Sequence, residues 1–139
     1  GGTYAGNPLG VAAARAVLDV IVEEDLCQRA TDIGEMLKAR LSDIANRQGM
    51  EPIGDIRGLG AMVAFELVTD RESRAPDAAL TNAIVAEAEA RGLIILPCGT
   101  RGNAIRLLPP LTTPFDQVKE ALDILDASIE AAVSATKSS

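Results

Sequence analysis

One arginine stands where its charge needs an explanation. Arg106 lies in the apolar stretch IRLLPP at residues 105–110, where a guanidinium is costly without an anionic partner. Because this group is planar and always charged, it could hold a substrate carboxylate through two parallel hydrogen bonds. A salt bridge to one of the chain's own 20 Asp and Glu residues would satisfy it as well, and the spacing favours neither. Arg57 and Arg101 are weaker candidates because both stand in turn-like surroundings, where solvated arginines are common.

The second candidate is the octapeptide GGTYAGNP at residues 1–8. Its glycines permit unusual backbone angles, so the Thr3 hydroxyl and the neighbouring amides could hold a phosphate group. A single hydroxyl among glycines is also common in ordinary polar loops, and taken alone that interpretation is favoured. The remaining glycines form no dinucleotide fingerprint, since Gly58-Leu59-Gly60 precedes a strand pattern rather than a helix.

The composition excludes several classes of function. The chain contains no His, which removes Ser-His-Asp and Cys-His catalysis and imidazole metal ligands, so no metal site is predicted. The 13 Lys and Arg residues against 20 Asp and Glu give a net charge of −7. Tyr4, Phe65 and Phe115 are the aromatic residues, too few for a platform on which bases stack. A nucleic acid partner is therefore not expected.

The cysteines and the apolar segments indicate the compartment. Cys27 and Cys98 have no CxxC spacing and no secretory segment accompanies them, which predicts free thiols in the cytoplasm. The longest nearly uncharged run, Leu9 to Val22, has 14 residues and contains two charged ones, so it is too short and too polar to span a membrane. The chain begins with Gly1 rather than Met, inside a loop-like stretch, and we expect it to be part of something longer.

Four helices are expected from capping signals and apolar spacing. Asn7-Pro8 is typical of a helix start. The helix that follows to Val22 is apolar nearly all round, and one small domain does not normally cover so large an apolar surface. The other three are expected from Leu26 to about Gly49, from Asp77 to Arg91 with Gly92 at the end, and from Thr113-Pro114 to about Val133, after which Ser134–Ser139 should fray.

Four strands complete the prediction. Residues 52–67 read as two strands around Gly58-Leu59-Gly60, where the glycines indicate a bend or a close backbone approach. Leu93–Leu96 and Ala104–Leu108 are expected to pair as a hairpin across a turn-like connection. Short connections imply antiparallel pairing, so the predicted fold class is α+β, a small antiparallel sheet with helices packed on one face.

Several stretches together resemble one enzyme family. GGTYAGNP running into an alanine-rich helix is similar to the segment that follows the catalytic lysine in class III pyridoxal-phosphate-dependent aminotransferases. EEDLCQRATDIGEMLKARL, GDIRGLGAMVAFEL, RGLIILPCG and NAIRLLPPLTT are similar to later family segments, so the resemblance covers nearly the whole chain. Among subfamilies, IRLLPPLT most resembles the 4-aminobutyrate aminotransferases, and the ornithine and acetylornithine enzymes share much of it.

The resemblance implies roles for particular residues. Thr3, with Gly2 beside it, matches the segment that reaches the phosphate of pyridoxal phosphate in the neighbouring subunit of a homodimer. Arg106 matches the arginine that binds the substrate carboxylate, with amino and oxo acids as substrates. The catalytic lysine and the large domain of the family would lie upstream, because Lys38, Lys119 and Lys137 match no family position.

The resemblance also implies an organisation and an activity. Residues 1–49 would form the phosphate-contacting loop and connecting helices, and residues 50–139 the small C-terminal α+β domain of a fold type I enzyme. The intact protein would transfer the amino group of 4-aminobutyrate or a related ω-amino acid to 2-oxoglutarate, whereas the chain alone would be inactive. The alternative from another class is a freestanding α+β module that binds an anion or a partner through the Leu9 to Val22 face.

Overall fold

The computed structural model describes residues 2–137, which form two helices, two strands, a third helix, two further strands and a last helix in chain order. The helices are α1 Pro8–Glu23, α2 Leu26–Ala45, α3 Ala78–Ala90 and α4 Phe115–Lys137. The strands are β1 Ile53–Leu59, β2 Met62–Leu67, β3 Pro97–Cys98 and β4 Ala104–Leu107. This order of elements confirms the predicted one.

The strands form one antiparallel sheet in the order β1-β2-β4-β3, which confirms the predicted α+β fold class. Side chains alternate across a strand, so Val63, Phe65 and Leu67 of β2 are buried against the helices. The opposite side, called the outer face here, carries Asp55, Arg57, Met62, Ala64, Glu66 and Arg106.

Three helices cover the inner face of the sheet and share its core. The buried residues of these helices include Ile33, Leu37, Leu41 and Ile44 of α2, Leu80, Ile84 and Ala88 of α3, and Val118, Leu122, Leu125 and Ile129 of α4. Helix α1 differs, because it has no buried residue, as its all-round apolar sequence predicts for so small a domain. Since α2 packs into the same core as the sheet, the division at residue 49 stays a prediction.

Helix α2 approaches the sheet closely at two glycines. Gly60, in the turn between β1 and β2, has a φ of +52°, a conformation that suits glycine. A Cβ atom added to Gly34 of α2 would lie 2.0 Å from the carbonyl oxygen of Gly60. The close backbone approach predicted for this glycine-rich stretch is confirmed, and its helical partner is Gly34.

Two predicted boundaries are wrong. Leu93–Leu96 is not a strand, and pairing begins at Pro97, opposite Ile105. Continued in this register, Leu93 would face Pro109, which has no N–H to donate to a ladder. The last helix also extends beyond its predicted end at about Val133, as far as Lys137. The helix continues because Ser134, Ala135 and Thr136 offer no break of the glycine or proline type. Ser138 and Ser139 lie outside the described residues.

Candidate functional site

Arg106 lies on β4, on the outer face of the sheet. In the antiparallel register it stands opposite Ala64 of β2, and Ala64 in turn stands opposite Arg57 of β1. Because neighbouring strands are about 4.7–4.9 Å apart, the backbones of the two arginines are separated by roughly 9–10 Å. The topology therefore places two guanidinium groups in one row, with the small side chain of Ala64 between them.

Arg106 is exposed and lacks a partner within the part of the chain that the structure describes. Neither an ion pair nor a side-chain hydrogen bond of its guanidinium occurs among residues 2–137. The alternative of an internal salt bridge is therefore wrong for these residues. The expectation that an apolar strand needs an internal anion fails because the outer face is open to water, where the charge stays hydrated. The group is free to bind an anion from outside.

Arg57 has the opposite surroundings. It lies on β1, not in a turn as its glycine-rich context suggests, because β1 extends to Leu59 before the chain reverses. Its guanidinium donates to the carboxylate of Asp55, and Nη2 lies 2.7 Å from Oε1 of Glu66. These hydrogen bonds to Asp55 and Glu66 raise the pKa of Arg57. Its charge is thus already neutralised, unlike that of Arg106.

A largely apolar cavity of about 500 Å³ borders Arg106. Its walls come from residues 93–98, from residues 107–110 that follow Arg106, and from the facing side of α4. Among residues 2–137, Arg106 is the one charged residue that lines it. The cavity thus has apolar walls and one charged residue at its border, a composition that suits a carboxylate attached to an aliphatic chain.

Thr3 lies in a turned segment that leads into α1. The amide of Ala5 donates to the carbonyl of Gly2 at 3.0 Å, and the Asn7 side chain accepts from the amide of Leu9 at 2.9 Å. This bond confirms Asn7 as the helix cap, with Pro8 in the first turn. Gly2 and Thr3 are exposed, and the Thr3 hydroxyl has no hydrogen bond within residues 2–137.

The structure does not bring Thr3 and Arg106 together. The cavity beside Arg106 is lined by no residue before Leu37 in the described range. Arg101 is exposed in the turn between β3 and β4, as expected for a solvated arginine. Lys119 pairs with Asp123 at 3.0 Å on α4 and Lys38 lies on α2, so neither lies in the cavity. The side chain of Lys137 lies outside the described residues.

Three further expectations concern the thiols, metal ions and membranes. Cys27 and Cys98 are both free, as predicted. Within residues 2–137 no group of three or more His, Cys, Asp and Glu residues is placed to hold a metal ion. No helix in this range is long and apolar enough to cross a membrane.

Sequence reasoning missed a contact that secures the chain just after β4. Arg29 of α2 donates from Nε to the carbonyl of Leu111, and its Nη2 lies 2.6 Å from the carbonyl oxygen of Thr113. Its guanidinium also lies over the ring of Phe115, 4.6 Å from the centroid. The partners are 82 and 84 residues away along the chain, so no local pattern indicates them. The Arg57 pairs were equally missed, although alternating charges at residues 55, 57 and 66 offered a signal.

Comparison with known proteins adds a family assignment to this geometry. The family model described as Aminotransferase class-III matches residues 1–129. The chain is 47% identical over 132 residues to the 4-aminobutyrate aminotransferase GabT of Escherichia coli (strain K12), covering 95% of this chain and 30% of that protein. It is 49% identical over 125 residues to the 5-aminovalerate aminotransferase DavT of Pseudomonas aeruginosa, covering 90% of this chain and 29% of that protein.

Solved structures agree with the sequence comparison. An aminotransferase from Bacillus anthracis superposes with a TM-score of 0.81 at 30% identity, covering 93% of this chain and 29% of that one. The chain thus spans about 30% of the length of the proteins that it matches. The segment that contains Arg106 and the segment that contains Thr3 both fall within the matched range.

Proposed function

Because this chain belongs to the class-III aminotransferase family, we propose that it is the C-terminal part of a 4-aminobutyrate-type aminotransferase. The intact enzyme would transfer the amino group of 4-aminobutyrate, or of a related ω-amino acid such as 5-aminovalerate, to 2-oxoglutarate. The names of the relatives GabT and DavT support this choice of amino donors. The sequence resemblance also extends to ornithine and acetylornithine enzymes, which makes ornithine the competing donor within the family.

The observation that carries the proposal is the guanidinium of Arg106 on the outer face of the sheet, which has no ion-pair partner among residues 2–137. Each substrate of the proposed reaction has a carboxylate, and a forked cation binds such a group through two charge-assisted hydrogen bonds. The apolar walls beside Arg106 would accommodate the methylene groups of an ω-amino acid. The proposed role of Arg106 is therefore to hold the carboxylate end of the substrate, which leaves the amino end free to react.

The family depends on pyridoxal phosphate, and the residues present fit one part of that cofactor. The exposed hydroxyl of Thr3, with the backbone of Gly2 beside it, is suited to donate to a phosphate oxygen, since the hydroxyl is bound to nothing else among residues 2–137. When bound, this cofactor supplies the group that carries the amino nitrogen between the two substrates. The chain contributes no lysine of the family pattern, so the rest of the cofactor site would belong to other parts of the enzyme.

Positioning is the contribution that Arg106 would make to the reaction. A carboxylate held at one end of a short aliphatic chain fixes which carbon meets the cofactor. A displacement of about 1 Å at the reacting atom can cost a hundredfold in rate, so the arginine affects turnover as well as binding. Both the ω-amino acid and the oxo acid would use the same guanidinium, because only one of them occupies the site at a time.

The separation of Thr3 from Arg106 supports an assembly of two subunits. In the resemblance the threonine serves the cofactor of the neighbouring subunit, which agrees with a chain whose two candidate residues lie apart. We infer that the uncovered apolar side of α1 packs against the large domain or the partner subunit in a homodimer. The chain alone would then be inactive, and its free thiols are in keeping with the cytoplasm.

The test of the reaction uses the full-length protein loaded with its cofactor. The cofactor absorbance is followed after mixing with 4-aminobutyrate, 5-aminovalerate or ornithine in the absence of an oxo acid. We expect rapid conversion with 4-aminobutyrate or 5-aminovalerate and slow conversion with ornithine. Conversion by ornithine alone would keep the family and reject the proposed donor. Failure of the protein to bind the cofactor at all would favour the anion-binding module instead.

The test of Arg106 compares two arginine variants in the same protein. Arg106→Gln should raise the KM values for the oxo acid and the amino donor about 10- to 100-fold, the loss expected for a charge-assisted pair, and lower kcat. Arg101→Gln removes an equal charge from the neighbouring turn and should leave both constants unchanged. Unaltered kinetics of Arg106→Gln would reject the carboxylate-binding role.

A further inference from the structure

Glu66 lies on the outer face between two arginines that could each hold its carboxylate. It is two residues along β2 from Ala64, which stands opposite Arg57 on one side and Arg106 on the other. Glu66 is therefore the diagonal neighbour of both arginines. Diagonal neighbours in an antiparallel sheet are about 7–8 Å apart between Cα atoms, within reach of long side chains. Each strand beside β2 thus offers this carboxylate one guanidinium within reach.

Among residues 2–137, the structure pairs Glu66 with Arg57 alone. The Nη2 atom of Arg57 lies 2.7 Å from Oε1 of Glu66, and Nη1 of the same arginine donates to Asp55. Because a guanidinium is a rigid fork, two carboxylates on its two amino groups fix the orientation of the whole group. Glu66 makes no ion pair with Arg106. Asp55 is two strands away from β4, too distant to take the place of Glu66.

This choice of partner matters for any anion that binds Arg106. An intramolecular carboxylate on that guanidinium would occupy the same donors that a substrate carboxylate needs, and it would be present at all times. An exposed ion pair is weak, so the competition would be measurable rather than complete. Removal of Arg57 would leave Arg106 as the guanidinium of a neighbouring strand within diagonal reach of Glu66, beside Arg74 and Arg101, which border the same cavity as Glu66.

We propose that Arg57 is a positioning residue that holds Glu66 away from Arg106 and so keeps Arg106 available for the substrate carboxylate. The proposal rests on the carboxylate-binding role of Arg106. Asp55 assists by binding the other half of the Arg57 fork, which keeps the guanidinium on the β1 side of Glu66. Arg57 itself touches no substrate in this scheme.

The experiment measures steady-state kinetics of the full-length holoenzyme with 2-oxoglutarate as the varied substrate. Arg57→Gln should raise the KM for this oxo acid about two- to fivefold, the effect of one exposed ion pair competing for Arg106. The value of kcat at a saturating concentration of the oxo acid should stay within about twofold, because saturating substrate displaces Glu66. Circular dichroism confirms that each variant is folded before it is assayed.

Rescue separates positioning from a loss of structure. The double variant Arg57→Gln with Glu66→Gln lacks the competing carboxylate, so its KM should return to the unmodified value. A purely structural defect would persist or worsen when a second residue of the outer face is altered. Arg91→Gln serves as the matched control, since it breaks another exposed arginine–carboxylate pair, Arg91 with Glu87 at 3.1 Å, and should not raise the KM.

Arg57→Lys covers the case in which Arg57→Gln does not fold. A lysine keeps the charge but presents one compact ammonium, which holds Glu66 less firmly than the fork does. Its KM should rise by a smaller factor, and Glu66→Gln should abolish that rise too. A folded variant of Arg57 with unchanged KM, or a raised KM that Glu66→Gln leaves in place, would overturn the proposal. The role of Arg106 is judged separately from Arg106→Gln, so its failure is distinguishable from that of Arg57.

Discussion

Helices α1 and α2 are consecutive in the chain, are both rich in apolar residues and have opposite surroundings. No residue of α1 is buried, and its exposed apolar residues are Leu9, Val11, Val17, Leu18, Val20 and Val22. Helix α2 buries one stripe, with Ile33, Leu41 and Ile44 fully inaccessible. A high content of apolar residues therefore indicates that a helix will be covered by other parts of the protein. The positions of these residues around the helix indicate which parts cover it. A single stripe is covered by the chain's own sheet, whereas an all-round apolar surface needs neighbours that residues 2–137 do not supply.

The largest expected effect contrasts one leucine from each helix. Leu41→Ala should lower the free energy of unfolding of the 139-residue chain by about 2–5 kcal/mol, because it leaves a cavity in the core. Leu18→Ala, at a position 63% exposed in α1, should change it by less than about 0.5 kcal/mol. Urea unfolding measures both.

The same two substitutions give a sharper comparison when they are made in the full-length protein. There Leu18→Ala should become costly, by about 2 kcal/mol or more, if a large domain or partner subunit covers α1. Leu41→Ala should cost the same in both proteins. An equally small cost of Leu18→Ala in both would mean that α1 stays uncovered.

A second contrast uses one glycine from each helix. Alanine is favoured over glycine in a helix by about 1 kcal/mol, so Gly10→Ala in α1, where nothing lies within 4 Å of the new Cβ, should stabilise the helix. Gly34→Ala should instead destabilise the chain by about 1–3 kcal/mol, because its Cβ would meet the Gly60 carbonyl. Thermal unfolding monitored by far-ultraviolet circular dichroism reports the sign of each change. A stabilised Gly34→Ala variant would contradict the close approach of α2 to the sheet.

A smaller contrast concerns two helix caps. Asp77 accepts from the amide of Leu80 at the start of α3, and Asn7 accepts from that of Leu9 at the start of α1. Asp77→Ala should lower global stability by about 1 kcal/mol, because α3 belongs to the core. Asn7→Ala should speed hydrogen exchange in the first turn of α1 and leave the global transition in place. A matching loss of global stability from Asn7→Ala would show that α1 unfolds together with the core.

The smallest expected effect tests an ion pair between α4 and the segment that follows α2. Arg47 binds Asp126 with both amino groups, at 2.6 and 2.8 Å, and the hydrogen bond to Asp126 raises the pKa of Arg47. Its side chain is 42% exposed, so Arg47→Gln should cost less than about 1 kcal/mol, and less still in about 1 M salt. Arg15→Gln on α1 is the control, since Arg15 has no ion pair among residues 2–137. A cost of Arg47→Gln that salt leaves unchanged would point to packing instead.

The sequence predicted the order of elements because each carries a local signal. Each of these signals lies within a few residues of the feature that it predicts. They are the Asn7-Pro8 cap, the spacing of Leu37, Leu41 and Ile44, and the glycines around Leu59. The end of the β3 ladder was misplaced because it depends on what faces Leu93 across the sheet. Which residues face each other depends on the register between two paired strands, and the sequence of one strand does not specify that register.

The candidate site was predicted in part for the same reason. Arg106 stands out locally, as a charge in an apolar stretch, and it has no ion pair within the described range, residues 2–137. Its proposed role is open to test. The pairs of Arg57 and the contacts of Arg29 bring together residues that are distant in the chain or on different strands. Whether a charge is neutralised therefore emerged from the tertiary arrangement, whereas its presence could be read from the sequence.

The strand order has a consequence for the sequence of folding events. Strands β1 and β2 are joined by a tight turn, so they can pair early and bring Arg57 to Glu66 by a local search. Strand β4 follows α3 and β3 in the chain, so its pairing with β2 closes a loop of roughly 40 residues and costs more entropy. The ion pair would then exist before Arg106 arrives beside it. When β4 pairs with β2 in the folding chain, the carboxylate of Glu66 would already be bound to Arg57.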